Sequence, residues 1–200
     1  MTPGSCSTGI HILMEELDLA FEAYVVNLLA GDQNKADYLA LNPKSTIPTL
    51  VKDDGSALTE FQAIAYWLAR RYPKACLLPG DPDNDALVIE VMDYAVGTLH
   101  GQGFARIFTT EKFCPSASEH EAVKRMGREI VDKGFAVLNK VLEGKEYVAG
   151  RFSIADAALF YVEFWADKTA IELPANCQAH YARMKERPAV QRVLREEGYR

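Results

Sequence analysis

The sequence has few of the residues that mark secreted, metal-binding or membrane proteins. Its 200 residues include four cysteines and four histidines, and no two cysteines form a CxxC pair. Such scattered cysteines suit neither a structural zinc site nor a dense disulfide framework. No apolar run approaches the roughly 20 residues of a membrane span, and no secretory signal is visible at the amino terminus. We therefore expect a cytoplasmic protein without a metal site or a membrane partner.

Positive charge is also scarce. The chain has 22 lysines and arginines against 28 aspartates and glutamates, which gives a formal net charge of −6. An acidic protein repels nucleic acid and anionic lipid, so neither is expected as the main partner. The hydrophobic fraction of 48% and the charged fraction of 25% are those of an ordinary soluble globular protein. A chain of this length forms one large domain or two small ones.

The first part of the chain has the patterns of a small α/β unit. IHILMEEL has apolar residues at helical spacing, whereas LAFEAYVVNLL is rich in β-branched and aromatic residues. IPTLVK and SALTE flank DDG, which is typical of a hairpin because Gly55 tolerates a positive φ. The predicted elements are a helix over 10–17, a strand over 19–29, a helix near 34–41, a hairpin around 53–55 and a helix over 61–72.

The second part is predicted to be entirely helical. LLPGDPDND (77–85) is rich in proline and aspartate and predicts a linker. Beyond it, apolar residues recur at helical spacing and strand patterns almost vanish. In FSIADAALFYVEFW, Ser153 and Asp156 have the spacing of a capping box. Two last helices are expected over 178–187 and 189–197, separated at Pro188.

Cys6 is the cysteine with an informative context. It follows a Pro-Gly turn in TPGSCS and precedes the first predicted helix. The N–H groups and macrodipole of a helix N-terminus favour a thiolate, which would attack an electrophile or a disulfide. Gly9 stands where a CxxC motif has its second cysteine, so a mixed disulfide would have no local resolving thiol. The alternative is a cysteine without a role.

Three other candidates have structural alternatives. Pro48 in STIPTLV is either an edge-strand proline or a cis proline that leaves the backbone of Ile47 free for a peptide-like ligand. Glu60 either complements the dipole of the helix after it or, with the N–H groups of that helix, binds a zwitterionic ligand. His100 lies on a predicted amphipathic helix, where a lone histidine is usually a partly buried structural residue.

Four segments in order, TPGSCS, NPKSTIPTL, DDGSALTE and GRFSIADAALF, resemble the cytosolic glutathione S-transferases. The resemblance extends over nearly the whole chain, and PGSC is most similar to the bacterial beta class. It implies a thioredoxin-like domain over 1–76, a linker over 77–85 and an all-α C-terminal domain over 86–200. It also implies a homodimeric transferase with glutathione as co-substrate.

The resemblance implies a role for each candidate. Cys6 corresponds to the cysteine that contacts or bonds the glutathione sulfur. Pro48 corresponds to the cis-proline of the family, and Ile47 to the residue that pairs its backbone with the cysteinyl part of glutathione. Glu60 corresponds to the acidic residue that binds the γ-glutamyl amine, and His100 to a histidine that faces the site. Ser153 and Asp156 correspond to a buried capping motif of the family that serves folding and not catalysis.

The sequence departs from the family pattern at several positions. Phe61 replaces the usual serine and offers only its backbone N–H to the γ-glutamyl carboxylate. Gly101 stands where a lysine normally follows the histidine, and Asp93 where the beta class often has asparagine. Lys35 is a candidate for the lysine that binds the glycyl carboxylate. These departures predict a weakened or reshaped glutathione site.

The first strand of the family would lie centrally in the sheet, and Met1 stands at the end of it. A missing central strand would leave unpaired backbone groups on both neighbours. We expect either that the natural chain starts a few residues earlier or that Met1 and Thr2 form a short strand.

The predicted activity is conjugation of glutathione to hydrophobic electrophiles, in a pocket lined by Phe104, Phe108 and Tyr161. Glutathione-dependent thiol reduction through Cys6 is a second activity that the residues allow, and isomerisation or ether cleavage is not separable from conjugation. The alternative from another class is a non-catalytic binding or assembly protein with a weakened glutathione site, which Phe61 and Gly101 favour.

Overall fold

In the computed structural model, which describes residues 1–199, a small sheet and its helices precede a set of longer helices. The first part contains α1 (Ser7–Glu16), α2 (Ala36–Leu41), β1 (Thr49–Val51), β2 (Ala57–Thr59) and α3 (Phe61–Arg71). The second contains α4 (Pro82–Asp93), α5 (Ala105–Phe108), α6 (His120–Val141), α7 (Ile154–Lys168), α8 (Ala175–Glu186) and α9 (Pro188–Glu196).

The predicted fold class is confirmed: a thioredoxin-like part with a small sheet is followed by a helical part. The domain boundaries around the linker 77–85 stay a prediction.

The predicted hairpin is confirmed. β1 and β2 are antiparallel, with Leu50 opposite Leu58. The turn closes through a hydrogen bond of 2.8 Å from the N–H of Gly55 to the carbonyl of Lys52. Gly55 has a φ of +80°, which a residue with a Cβ adopts only at a cost. The hairpin joins the loop around Pro48 to the start of α3.

The strand predicted over 19–29 is wrong. Residues 19–27 belong to neither a helix nor a strand, and residues 28–30 form a turn. A strand needs backbone partners along its length, and within residues 1–199 the backbone of residues 20–26 bonds only to Met1 and Thr2. The Met1 ammonium donates to the carbonyl of Tyr24, and the Met1 carbonyl accepts the N–H of Val26 at 2.8 Å. The composition of the run suits a strand, but these few bonds do not form one.

The helix that carries His100 is unusual. After Asp93 it continues as a π-helical segment, Tyr94–Phe104, before it enters α5. Such segments are rare and frequently occur at functional sites. The segment packs closely on α6, because a Cβ on Gly127 would lie only 2.8 Å from the carbonyl oxygen of Gly103. No helix within residues 1–199 has the length and hydropathy needed to cross a membrane.

The predicted capping box begins α7, whose residues from Ile154 to Ala166 are all buried. The carboxylate of Asp156 accepts the N–H of Ser153 at 2.8 Å and its hydroxyl at 2.7 Å, so the box is confirmed. The same carboxylate accepts the N–H of Val148 at 2.9 Å and contacts Nε2 of His180 at 3.1 Å. It therefore joins α7 to the preceding loop and to α8.

His180 lies between two fully buried carboxylates. Its Nδ1 is 2.9 Å from the Glu163 carboxylate, and its Nε2 faces Asp156. Burial alone would lower the pKa of His180, but the two carboxylates outweigh it and raise this pKa to about 10. Burial raises the pKa of Glu163 to about 7, against the attraction of His180. His180 is therefore an imidazolium at neutral pH.

We expect the free energy of unfolding to fall as the pH rises from 7 to 9. The folded protein keeps a proton on His180, with its pKa of about 10, that the unfolded chain loses near its usual value of 6.5. One extra bound proton gives a slope of about 1.4 kcal/mol per pH unit. Urea unfolding across this pH range measures the slope, and the slope of the variant His180→Asn should be smaller by about this amount. Parallel pH profiles for the two proteins would contradict the expectation.

Candidate active site

Cys6 directly precedes α1, at the end of a loop in which Gly4 has a φ of +69°. The thiol donates a hydrogen bond to the carbonyl of Ile47, with an S···O distance of 3.6 Å. The Cys6 side chain is only 7% exposed. The structure thus brings together two of the predicted site residues, which are far apart in the sequence.

The expectation that the helix N-terminus makes Cys6 a thiolate is wrong for this structure. Burial raises the pKa of the Cys6 thiol to about 12, although the N–H groups of Cys6 and Ser7 oppose the increase. The cost of dehydrating a sulfur anion exceeds the gain from these hydrogen bonds. At neutral pH, Cys6 is a neutral thiol that donates a hydrogen bond.

The peptide bond between Ile47 and Pro48 is cis, as the resemblance implies. Pro48 is buried and Ile47 is partly buried. The carbonyl of Ile47 accepts the Cys6 thiol, whereas its N–H has no acceptor within residues 1–199. A free N–H next to Cys6 is available to an extended, peptide-like ligand.

Glu60 lies at the N-terminus of α3 in an uncommon backbone conformation. Its φ is +72°, which costs a residue with a Cβ about 1 kcal/mol or more and is found most often at functional sites. Its exposed carboxylate pairs with the ammonium of Lys44 at 2.7 Å. The N–H groups of Phe61 and Gln62 have no partner in the described part of the chain. This end of α3 therefore combines a carboxylate with free donors.

Phe61 packs inward from the start of α3 and is 3% exposed. Its ring lies against Tyr161, with a centroid distance of 5.4 Å, and against Gly9 of α1. A Cβ at Gly9 would lie 2.8 Å from the Phe61 ring and 2.7 Å from the carbonyl oxygen of Ala157. The position where a CxxC motif has its second cysteine therefore has no room for a side chain.

His100 connects the π-helical segment to α7. Its Nδ1 is 3.2 Å from the hydroxyl of Tyr161, and its ring meets Trp165 edge-on at 4.8 Å. Burial lowers the pKa of His100 to about 4, so the ring is neutral. Burial also suppresses ionisation of Tyr161 and raises its pKa well above the usual 10, and Cys6 raises it by a smaller amount. His100 is therefore linked to the Cys6 region through Tyr161.

The three aromatic residues predicted to line an electrophile pocket have different surroundings. Phe104 and Tyr161 are fully buried, whereas Phe108 is 47% exposed. Phe104 stacks on Phe108 at 5.5 Å, and both contact the ring of Trp165. Only Phe108 therefore presents an aromatic surface, against the buried ring of Trp165, while Phe104 and Tyr161 are part of the core.

The matches to protein families agree with this geometry. Residues 4–71 match the glutathione S-transferase N-terminal domain, and residues 104–196 match the glutathione S-transferase C-terminal domain. The chain is also 35% identical to glutathione S-transferase GstA of Escherichia coli O157:H7, over 98% of this chain and 96% of that protein. The chain belongs to the glutathione S-transferase family.

Solved structures extend the comparison. A bacterial beta class glutathione S-transferase of Sphingomonas chungbukensis is 31% identical, with a TM-score of 0.84 over 99% of this chain and 97% of that one. A glutathione transferase homologue from Sulfitobacter with bound glutathione is 29% identical, with a TM-score of 0.90 over 98% of this chain and 95% of that one. The similarity therefore includes both parts of this glutathione S-transferase.

Sequence reasoning missed the residues that hold the Cys6 loop. The indole N–H of Trp165 donates to the carbonyl of Gly4 at 2.7 Å, and the N–H of Gly4 donates to the Glu197 carboxylate at 2.7 Å. Glu197 also accepts the hydroxyl of Thr8 and contacts His11. Trp165 and Glu197 are more than 150 positions from the loop, so no local motif identifies them.

The predicted lysine is not placed in the site either. Lys35 is 64% exposed and pairs with Asp32 at 2.6 Å. Lys44, which the sequence did not single out, instead contacts Glu60. Gly101 and Asp93 are exposed on the helix that carries His100, and the Asp93 carboxylate accepts the amide of Gln62 on α3 at 3.3 Å.

Proposed function

We propose that this protein conjugates glutathione to hydrophobic electrophiles, with the glutathione sulfur beside Cys6. The observation that carries the proposal is the convergence of the Cys6 thiol and the Ile47 backbone at 3.6 Å. Glutathione is a peptide with a thiol at its centre, so its sulfur and its peptide groups need these two partners side by side. Known relatives use the same co-substrate, as the bound glutathione of the Sulfitobacter homologue illustrates.

Each part of glutathione has a chemically suitable partner. The free N–H of Ile47 would donate to the cysteinyl carbonyl of glutathione, in the way that an open strand edge pairs with an extended peptide. The Glu60 carboxylate would bind the γ-glutamyl amine. The free N–H groups at the start of α3 would bind the γ-glutamyl carboxylate, which the positive end of the helix dipole favours. Phe61 contributes through its N–H alone, because its side chain is buried.

Cys6 would act as a donor in the reaction. A neutral thiol that donates a hydrogen bond to the glutathione sulfur stabilises the thiolate and so lowers the pKa of that sulfur. The thiolate then attacks the electrophile, forms the S–C bond and displaces the leaving group. The exposed ring of Phe108, which rests on that of Trp165, would hold an aromatic electrophile beside the sulfur.

Thiol reduction through Cys6 is the second candidate function. In that reaction the Cys6 sulfur attacks a glutathionyl mixed disulfide and releases the substrate thiol. A second glutathione then attacks the enzyme-bound disulfide and leaves as glutathione disulfide. Because Gly9 leaves no room for a resolving cysteine, the second thiol of this reaction has to come from glutathione. The high pKa of Cys6 opposes it, because a protonated thiol is a poor nucleophile.

We expect the variant Cys6→Ala to conjugate glutathione to a chlorodinitrobenzene about tenfold more slowly at pH 6.5, because it lacks one hydrogen bond to an anion. The variant Cys6→Ser keeps a donor of similar size and should stay within a few-fold of the wild type. The measurement is kcat/KM for conjugation, with glutathione–disulfide exchange assayed in parallel.

Other results would redirect the assignment. Unchanged conjugation in Cys6→Ala with complete loss of disulfide exchange would support thiol reduction instead. Absence of turnover with several electrophiles, together with absence of glutathione binding, would support the non-catalytic alternative. We also propose that the protein is a cytoplasmic homodimer, and light scattering of the purified protein tests the dimer.

A further inference from the structure

A histidine and two glutamates lie together between the first helix and the last, α1 and α9. His11 and Glu15 are four positions apart on α1, so they lie on one face of that helix. Glu196 is the last residue of α9, which packs on α1. One potential ligand atom of each residue lies within 4.8 Å of those of the other two. We call these three residues the α1–α9 cluster.

The hydrogen bonds of His11 direct one of its ring nitrogens into the cluster. Nδ1 lies 3.0 Å from the carboxylate of Glu197, which also accepts the N–H of Gly4 and the hydroxyl of Thr8, each at 2.7 Å. A carboxylate only accepts hydrogen bonds, so Nδ1 carries a hydrogen and Nε2 is left with its lone pair. Nε2 faces the carboxylate of Glu196 at 3.1 Å. Because the His11 side chain is only 4% exposed, this lone pair has little access to water.

The contact between His11 and Glu196 therefore sets two acceptors against each other. The lone pair and the carboxylate attract only if a positive charge lies between them. A second proton on the ring would join these two atoms alone. A metal ion would join them and would also reach the carboxylate of Glu15. The convergence of three ligand atoms therefore favours a metal ion over a proton.

Outer partners hold His11 and Glu15 in place. The bond from Nδ1 of His11 to Glu197 is the arrangement that orients a metal-binding imidazole. Arg192 donates to Oε2 of Glu15 at 2.6 Å, and the other oxygen of that carboxylate has no hydrogen-bond partner in the described part of the chain. The Glu196 side chain is 50% exposed, so an ion has a path from solvent.

We propose that the α1–α9 cluster binds a divalent metal ion of the Zn²⁺ type through Nε2 of His11 and one oxygen each of Glu15 and Glu196. Imidazole together with carboxylate suits Zn²⁺, whereas Mg²⁺ and Ca²⁺ take oxygen ligands. Ligands about 2.1 Å from a tetrahedral zinc ion lie about 3.4 Å from one another. The 3.1 Å between His11 and Glu196 is close to this separation. Small rotations of the glutamate side chains would complete the set, with water at the fourth position.

The ion would join α9 to α1 across 185 positions of the chain. Ligands so far apart share no spacing motif, which is why the sequence predicts no metal site. Because the ion would tie the two helices together, zinc should raise the melting temperature. None of the three ligands is assigned to glutathione binding, so the metal site does not depend on the proposed function.

The test is a calorimetric titration of the untagged full chain, treated with a chelator and then dialysed, with zinc sulfate. We expect saturable one-to-one binding that a large excess of Mg²⁺ does not displace. In protein labelled with ¹⁵N at its four histidines, zinc should shift the Nε2 resonance of His11 and leave the other three rings unchanged. The Co²⁺ form should lack the sulfur-to-metal charge-transfer absorption that a cysteine site gives.

Variants of exposed glutamates test the ligand set. Glu196→Gln removes one ligand and should weaken zinc binding at least about tenfold. The matched control Glu186→Gln removes the same charge from the exposed last residue of α8 and should bind zinc as the wild type does. Glu196→His supplies a different ligand atom and should bind zinc more tightly than Glu196→Gln. Circular dichroism checks the fold of all three variants.

Several results would overturn the proposal: absence of zinc binding, equal affinity of Glu196→Gln and the wild type, or an unchanged His11 resonance. A sulfur-to-metal absorption would assign the ion to a cysteine and would overturn it as well. Glutathione conjugation is measured in the same samples. Zinc binding without conjugation or glutathione binding would refute the proposed function alone, and the reverse would refute the metal site alone.

Discussion

Replacing Asp156 with alanine should lower the free energy of unfolding by about 3–5 kcal/mol, the cost of breaking a buried ion pair. The buried carboxylate accepts the N–H groups of Ser153 and Val148 and faces Nε2 of His180. The variant leaves all three groups buried without an acceptor, and α7 loses its N-terminal cap. Chemical denaturation at pH 7 measures the change.

A matched variant separates the contributions at Asp156. Asp156→Asn keeps an oxygen acceptor of similar size but removes the charge that faces His180. It should cost less than alanine and should also reduce the pH dependence of stability between pH 7 and 9. A cost below about 1 kcal/mol for Asp156→Ala would show that the network adds little, since that is the effect of an exposed cap.

The second large effect is expected at Gly9. The variant Gly9→Ala places a Cβ 2.7 Å from the carbonyl oxygen of Ala157 and 2.8 Å from the Phe61 ring. Overpacking of this kind costs about 1–3 kcal/mol. Because Phe61 begins α3, its displacement should also move the N–H groups proposed to bind glutathione. We expect a lower melting temperature together with a raised KM for glutathione.

Gly97 provides the control for Gly9. It also lies in a helical segment, but a Cβ there would meet no atom within 4 Å. Gly97→Ala should therefore be neutral or stabilising by up to about 1 kcal/mol, the difference in helix propensity. If the two variants were equally stable, the contact between α1, α3 and α7 would be looser than the structure indicates.

The local elements were predictable because their causes are local. Apolar spacing predicted α1, and the DDG turn predicted the hairpin. Ser153 and Asp156 form the predicted capping box because three residues of a helical turn suffice to bring them together. Pro188 begins α9, as a proline at the first helical position does.

The error at 19–29 has the opposite cause. Residues rich in β-branched and aromatic side chains suit a pleated surface, but a strand exists only where another strand supplies its hydrogen bonds. Here Met1 pairs with residues 24 and 26 alone. The partner is a property of the tertiary structure and cannot be read from the composition of the run.

The sequence by itself determined the family, the hairpin and the position of Cys6 before α1. The tertiary structure determined whether the thiol of that cysteine is protonated. A helix N-terminus alone favours a thiolate, but the packing around Cys6 removes water, and desolvation raises the pKa to about 12. Packing also decided that Trp165 and Glu197 hold the Cys6 loop, because contacts over more than 150 positions arise only when the helices assemble. Spacing governs local structure, whereas burial and distant contacts govern the chemistry of the site.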